Sequence, residues 1–316
     1  MSLKIGVVMD PIGDINFKKD STLAMLLEAQ SRGWQLFYME QADLYMKHDV
    51  ARAKMKPLKV FNDANNWYQL NEAEDLELDS LYAILMLKDH TFDINYIYST
   101  YILEKAEEKG TLIINKAQSL RDANEKLFTN NFSACMPATL VSSQAEHITA
   151  FFKEHKDIIL KPLDGMGGAS VFRIKPGDSN LSVIIETLTE HGTKLTMVQK
   201  FIPEIKQGDK RILLINGKPV PYALARIPAK GETRANLAAG GEGVGVELTE
   251  RDRWICEQVA PLLKAKGLIF VGIDVIGDYL TEVNVTSPTC IRELDKQYNI
   301  NISALLMDWI AEHRTH

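Results

Sequence analysis

Asp274, Glu282 and Asn284 lie on two neighbouring apolar stretches, Leu268–Ile276 and Tyr279–Val285, near the end of a 316-residue sequence. Residues i and i+2 of a strand share a face, so Glu282 and Asn284 point one way and Val283 and Val285 the other. Asp274 alternates with Ile273 and Val275 in the same manner. Two carboxylates and an amide oxygen are hard donors suited to Mg²⁺, with Mn²⁺ as the alternative, and such ions complete their shell with water and phosphate oxygens. Convergence depends on register. A two-residue loop at 277–278 sets Asp274 opposite Thr281, whereas a three-residue loop over Gly277–Tyr279 sets it opposite Glu282, and the longer loop is the expectation. A solvated strand face has the same alternation, so the segment alone leaves both readings open.

Phosphate chemistry has its own candidates. Asp164–Gly165–Met166–Gly167–Gly168 joins two expected strands. It lacks the Gly-Lys-Ser/Thr of a Walker loop, and no helix follows as a dinucleotide fingerprint requires. Glycines without Cβ still allow backbone N–H groups to fold over an anion; an ordinary hairpin turn fits equally well. Lys161 closes the strand before this loop. Lys126 is a second cation, with an i,i+4 pair to Asp122 as its plainer role. The segment Ile227–Gly245 is glycine-rich and carries Lys230 and Arg234, which suggests either a lid that excludes water or a surface excursion. Arg211, Arg226 and Arg292 stand at strand ends or just beyond the acidic strand.

The elements that must position these groups read as α/β. Strands are expected at Leu3–Met9, Trp34–Glu40, Leu81–Lys88 and Leu112–Asn115, with helices at Ser21–Ser31 and Ile94–Lys109, which predicts a parallel sheet. Ser119–Asp122 resembles a capping box opening a helix through Phe132. Further on, strands at Ile158–Lys161, Val171–Lys175 and Leu195–Ile202 alternate with helices at Glu146–Lys156 and Leu181–His191. The last third reads as strands at Arg211–Asn216 and Pro219–Ile227, a helix over Glu250–Lys266, the acidic strand pair, and a closing helix near Ile302–His313. The stretch 47–77 has no clear period. Boundaries near 120 and 200 divide the chain into 1–120, 121–202 and 203–316.

Composition narrows the function class. The formal net charge is −6, which leaves no overall basic surface for a nucleic-acid backbone. No apolar run approaches the ~20 residues of a spanning helix, and the opening residues lack a signal-peptide core. Cys135, Cys256 and Cys290 are too scattered for a disulfide framework or a zinc motif, which fits the reducing cytoplasm. Cys290 reads as a small packing residue rather than a nucleophile.

Taken in order, RDANEKLF at 121–128, DIILKPLDGMGGASVFR at 157–173, DKRILLINGKPVPYALARIP at 209–228, GETRANLAAGG at 231–241 and LTEVNVTSPTCIRE at 280–293 carry a family likeness. The chain resembles the ATP-grasp superfamily and, within it, the bacterial glutathione synthetases. That resemblance implies a Rossmann-like N-terminal substrate domain, a lid subdomain and a C-terminal antiparallel-sheet subdomain, with ATP between the last two. It implies ATP phosphates on Lys126, Lys161 and the loop of Gly165, Gly167 and Gly168. Adenine would lie along Gln199, Lys200, Phe201 and Ile202, ribose at Asp209, and magnesium on Asp274, Glu282 and Asn284. Arg211 would face the transferred phosphoryl group. Ile227–Gly241 would be the lid, bringing Arg234 and Asn236, and Arg226, Ser287, Thr289 and Arg292 would lie near the peptide substrate. The implied reaction is ATP-dependent joining of γ-glutamylcysteine to glycine through an acyl phosphate, by a homo-oligomer, a tetramer in the family, without nucleic-acid or membrane partners.

Overall fold

The structure is a computed structural model that describes residues 2–89, 92–165, 167–229 and 242–313. The N-terminal sheet is built around β1 (Lys4–Val8), which pairs in parallel with β2 (Gln35–Met39) and with β7 (Ala83–Met86); β8 (Leu112–Ile114) extends it on the far side of β7. β7 is buried along its whole length and β1 along all but Lys4, as expected of parallel strands covered on both faces. Helices α1 (Ser21–Ser31) and α2 (Ile94–Glu108) connect these strands, each opened by an aspartate whose side chain accepts the backbone N–H three residues on.

The aperiodic stretch 47–77 folds as an antiparallel ribbon. β3 (Leu44–Lys47), β5 (Tyr68–Leu70) and β6 (Glu74–Glu77) all pair with the long β4 (Val50–Val60), and β4 pairs antiparallel with β2. The first sheet is therefore mixed. The helix expected from Ser119 to Phe132 is also different. α3 (Ala117–Asp122) ends at Ala123, and a separate 3-10 segment runs over Leu127–Cys135. Ser119 lies inside α3 and spends its hydroxyl on the Lys266 carbonyl, while the Asn124 side chain accepts the Lys126 and Leu127 N–H groups. That turn takes Lys126 off the helix, away from the alternative pairing with Asp122.

A second sheet has the order β11-β10-β12-β9 and is antiparallel throughout. Its strands are β9 (Thr139–Ser142), β10 (Ile158–Pro162), β11 (Phe172–Ile174) and β12 (Thr196–Lys200), and α4 (Ala145–His155) and α5 (Leu181–Thr189) pack on it through Ile148, Ile185 and Leu188.

The third sheet has the order β15-β14-β13-β16-β17. β13 (Asp209–Ile215) and β14 (Lys218–Ile227) form a hairpin whose two-residue turn, Asn216–Gly217, has φ of 48° and 72°, the left-handed conformation such turns require. β15 (Glu242–Glu247) pairs along β14, so the loop expected over Ile227–Gly245 gives way to strand at Glu242. After α6 (Glu250–Ala265) come β16 (Phe270–Ile276) and β17 (Tyr279–Asn284), then α7 (Ile291–Tyr298), which the pattern did not announce, and α8 (Ile302–Glu312), which returns to α1. There the Tyr82 hydroxyl donates to the Ile310 carbonyl at 3.0 Å, and Arg32 pairs with Asp308 at 2.7 Å.

Asn115, just after β8, ties the first sheet to the third. Its amide donates to the Phe270 and Val285 carbonyls at 2.8 and 2.6 Å and accepts the Ile269 and Phe270 N–H groups at 2.7 and 2.8 Å. Among the described residues no helix is long and apolar enough to cross a membrane.

Candidate active site

The acidic triad is assembled by a bulge, not by a three-residue loop. Ile276 pairs with Tyr279 and Val275 with Leu280, so the connection is the two-residue turn Gly277–Asp278. The register then shifts, and Asp274 pairs with Glu282 and Gly272 with Asn284. Thr281 is the extra residue, and its hydroxyl donates to the Asp274 carbonyl at 3.1 Å. One inserted residue restores the period-2 match for every position beyond it. The three groups share a face as expected, by a different local route.

Across the same face β13 places Arg211 opposite Asp274, and β14 places Arg226 opposite Asp209. Arg211 clamps Asp274 with Nε and Nη2, the latter at 3.0 Å from Oδ2, and Arg226 Nη2 reaches the same Oδ2 at 2.8 Å. Arg226 also holds Asp209 Oδ2 at 2.6 Å. Burial alone would raise the Asp274 carboxyl, but the two guanidiniums outweigh it and hold the group well below the usual carboxylate range. Asp209 has one arginine and a buried Oδ1 with no partner among the described residues; burial prevails and its carboxyl is pushed up to about 7.

Asp274, Glu282 and Asn284 suit a hard cation by their oxygen donors and cross-strand pairing. Among the described residues no three His, Cys, Asp or Glu side chains form a metal cluster, so the set is two carboxylates and one amide. Asn284 Nδ2 lies 3.5 Å from Asp274 Oδ2, at the edge of hydrogen-bond reach.

Both lysines lie at the glycine loop. Lys126 Nζ contacts Glu125 Oε1 at 2.7 Å, the Gly165 carbonyl at 2.9 Å and Glu282 Oε1 at 3.7 Å. Burial would lower its pKa, but the Glu282 and Glu125 carboxylates raise it above the ordinary lysine value. Lys161 is buried on β10 and forms no ion pair among the described residues; burial lowers it. Val283 N–H donates to the Glu125 carbonyl at 2.8 Å, which fixes the Glu125–Lys126 turn against β17.

Two cavities meet here. A slot of about 140 Å³ between the second and third sheets is lined by Lys126, Lys161, Gly165, Gly167, Gly168, Gln199, Lys200, Phe201, Ile202 and Asp209, among others. Arg173 stacks on the Phe201 ring at 3.3 Å from its centroid and is fixed by Asp157 at 2.9 and 2.6 Å. A larger cleft of about 420 Å³ is lined by Arg211, Arg226, Asn284, Ser287 and Thr289 on one side. Gly165, Gly167 and Glu282 line both.

Arg292 is not brought to either cavity. It donates to the Phe17 carbonyl and to Asn62 Oδ1 and stacks on the Phe17 ring at 4.8 Å, because α7 turns it toward the N-terminal loops. Arg234 and Asn236, with most of the expected lid, lie outside the described residues. Missed altogether were Asn16, Lys19, Lys88 and Asp89, which line the cleft from loops after β1 and β7, and Glu293 on α7. The signal was available for the first four: ligands gather beyond the carboxyl ends of parallel strands.

With this geometry in hand, the comparisons are consistent from end to end. The family model for the prokaryotic glutathione synthetase N-terminal domain matches residues 3–121, and the one for the ATP-grasp domain of the same family matches residues 125–299. The glutathione synthetase of Pseudomonas aeruginosa is 62% identical, covering 98% of both chains, and that of Shewanella oneidensis is 61% identical with 98% of each covered. Among solved structures, D-cycloserine synthetase DcsG superposes with a TM-score of 0.66 at 13% identity, over 98% of this chain and 99% of that one. The ATP-grasp ligase PsnB, solved with a minimal precursor, Mg and ADP, gives 0.63 at 16% identity, over 98% and 97%. Those two likenesses are of fold; the chain itself belongs to the prokaryotic glutathione synthetase family of ATP-grasp ligases.

Proposed function

We propose that the small slot is the nucleotide half and the large cleft the acyl half of one active site. The reaction is ATP-dependent ligation of γ-glutamylcysteine with glycine to give glutathione, with ADP and phosphate released. The observation that carries the site reading is the shared wall: Gly165, Gly167 and Glu282 border both cavities, so a phosphoryl group can pass between them without crossing open water.

On this reading adenine packs between Phe201 and Ile202, with Gln199 and Lys200 along the edge and Asp209 toward the ribose. Lys126, Lys161 and the backbone of Gly165, Gly167 and Gly168 receive the phosphates. Asp274, Glu282 and Asn284 would hold Mg²⁺, with Mn²⁺ as a substitute, and a bound ion would neutralise charge on the phosphate oxygens. A cysteinyl carboxylate oxygen attacks the γ-phosphorus and the bond to ADP breaks. Arg211 and Arg226, held in place by Asp274 and lining this cleft, offer fixed positive charge to the phosphoryl group as the bond to ADP breaks and ADP takes up the negative charge. Glycine's amine then attacks the acyl carbon, loses a proton, and phosphate leaves. Arg234 and Asn236 are assigned to the covering loop 227–241, distinct from the lid subdomain, and Ser287 and Thr289 to the acyl substrate. Arg292 is reassigned to holding the Phe17 loop, given its contacts there. The divisions 1–120, 121–202 and 203–316 serve as substrate domain, lid and catalytic subdomain. Three buried, unpaired cysteines favour a reducing cytoplasmic setting, and tetrameric assembly is expected from the family.

Phosphate release should require ATP, γ-glutamylcysteine and glycine together. Release only with some other acid and amine pair would overturn the substrate assignment.

A further inference from the structure

We propose that Glu293 and Lys19 form the recognition site for the far end of the acyl substrate, Glu293 receiving the α-ammonium of its γ-glutamyl group and Lys19 the α-carboxylate. The inference rests on the proposed reaction and names contacts within it.

Glu293 Oε2 is fully buried and has no hydrogen-bond partner among the described residues, although the residue lines the large cleft. A carboxylate oxygen withdrawn from water with nothing to accept costs free energy, so such an atom calls for a partner that arrives from outside. Burial raises the Glu293 carboxyl above its ordinary value, and Lys19 and Arg292 lie near enough for their charges to oppose that shift. An arriving cation would relieve the burial penalty. Lys19 lines the same cleft, is exposed, and forms no ion pair among the described residues.

The other charged groups of the cleft have partners inside the protein. Lys88 contacts Asp10 and the Asp89 carbonyl, Glu125 and Glu282 hold Lys126, and Arg211 and Arg226 hold Asp274. One acid and one base are thus left in a cavity that Arg211, Arg226 and Glu282 also line. A zwitterionic α-carbon, separated from the reacting carboxylate by a dipeptide's length, has the matching charges.

Both groups are placed by rigid elements. Lys19 ends a loop closed by the Lys19 and Asp20 N–H groups on the Asn16 carbonyl, and Asp20 caps α1. α7 is anchored by buried Ile291 and Leu294 in the core that also holds Leu23 and Leu26 of α1, and Ile291 N–H meets Ser21 Oγ at 3.4 Å. The two side chains therefore approach the cleft from neighbouring helix starts.

The test measures steady-state kinetics of wild type, Glu293→Gln and Lys19→Met with three acyl substrates. These are γ-glutamylcysteine, glutaryl-cysteine, which lacks the α-amino group, and 4-aminobutanoyl-cysteine, which lacks the α-carboxylate. Wild type should show a KM roughly 10- to 100-fold higher for glutaryl-cysteine, which leaves the buried Glu293 carboxylate unmatched, and a KM a few-fold higher for 4-aminobutanoyl-cysteine, since Lys19 is exposed. Glu293→Gln should raise the KM for γ-glutamylcysteine by the larger factor and cease to discriminate against glutaryl-cysteine, while the KM for ATP stays within about 3-fold. Lys19→Met, at an exposed position that the fold does not depend on, should raise it by the smaller factor and cease to discriminate against 4-aminobutanoyl-cysteine. Undiminished discrimination against the matching analogue in either variant would overturn the assignment of that residue. If wild type failed to turn over γ-glutamylcysteine at all, the proposed reaction would fall and this inference with it.

Discussion

The two sheets that face each other across the nucleotide slot are held in place by different means. The β9–β12 sheet has a small core of its own, with Ile148, Ile158, Leu160, Ile174 and Val198 buried against α4 and α5 and drawn entirely from that part of the chain. The β13–β17 sheet has no private core. One of its faces joins a cluster running from Val8 through Phe128 to Val285, and the other joins a cluster that includes Ile5, Leu23, Phe270 and Met307. The β13–β17 sheet and the N-terminal sheet thus share their apolar interior, and Asn115 adds four hydrogen bonds across the seam. A sheet with a separate core can shift as a unit at little cost to the rest, whereas a sheet inside a shared core cannot. The difference suits a reaction in which nucleotide must enter on one side while the acidic and basic groups on the other stay fixed.

That division of labour is open to attack from several directions. Arg211→Ala removes a preorganised cation from the fixed sheet and should lower turnover by roughly 10²- to 10³-fold, with ATP affinity by calorimetry little changed. An equal loss of ATP affinity would show that the two halves do not act separately. Leu160→Ala opens a cavity in the separate core of the β9–β12 sheet and should cost about 3 kcal/mol. Hydrogen exchange should then show faster amides across 139–200 with β1, β7, β13 and β16 unaffected; acceleration everywhere would mean a single cooperative unit. Asn115→Ala should cost about 2 kcal/mol by stranding buried backbone groups. Its effect should reach β8, β16 and β17 together and spare the β9–β12 sheet, so exchange confined to one sheet would dissolve the shared seam. The smallest effect is expected from Arg173→Ala. Losing the cation over Phe201 should cost the β9–β12 sheet about 1 kcal/mol and raise the KM for ATP a few-fold, and an unchanged KM would remove Phe201's packing from nucleotide binding.

How far the sequence reached differs by element. Ser21–Ser31 was read to the residue because an aspartate cap and a run of apolar residues are local signals. Most strands of the three sheets were found within a residue or two, but β9 (Thr139–Ser142) and β15 (Glu242–Glu247) were not expected. The ribbon at 47–77 was not, since its short polar strands owe their conformation to pairing with β4 and have no period of their own. The 119–132 helix was overcalled because Ser119, a fair cap by type, is used as a tertiary donor to Lys266. Among site residues, Lys126, Lys161, the glycine loop, Asp274, Glu282 and Asn284 stand together, while Arg292 faces elsewhere and Glu293, its neighbour, lines the cleft instead.

What the sequence determined by itself was face and type. Period-2 alternation is a property of the extended backbone, so it places Glu282 beside Asn284 whatever surrounds them. What tertiary structure decided was partnership. Thr281 is expelled from the ladder so that Asp274 meets Glu282, and two arginines from different strands converge on one carboxylate. Register and ion pairing are settled by the packing of many distant residues at once, and no window of the chain contains that sum.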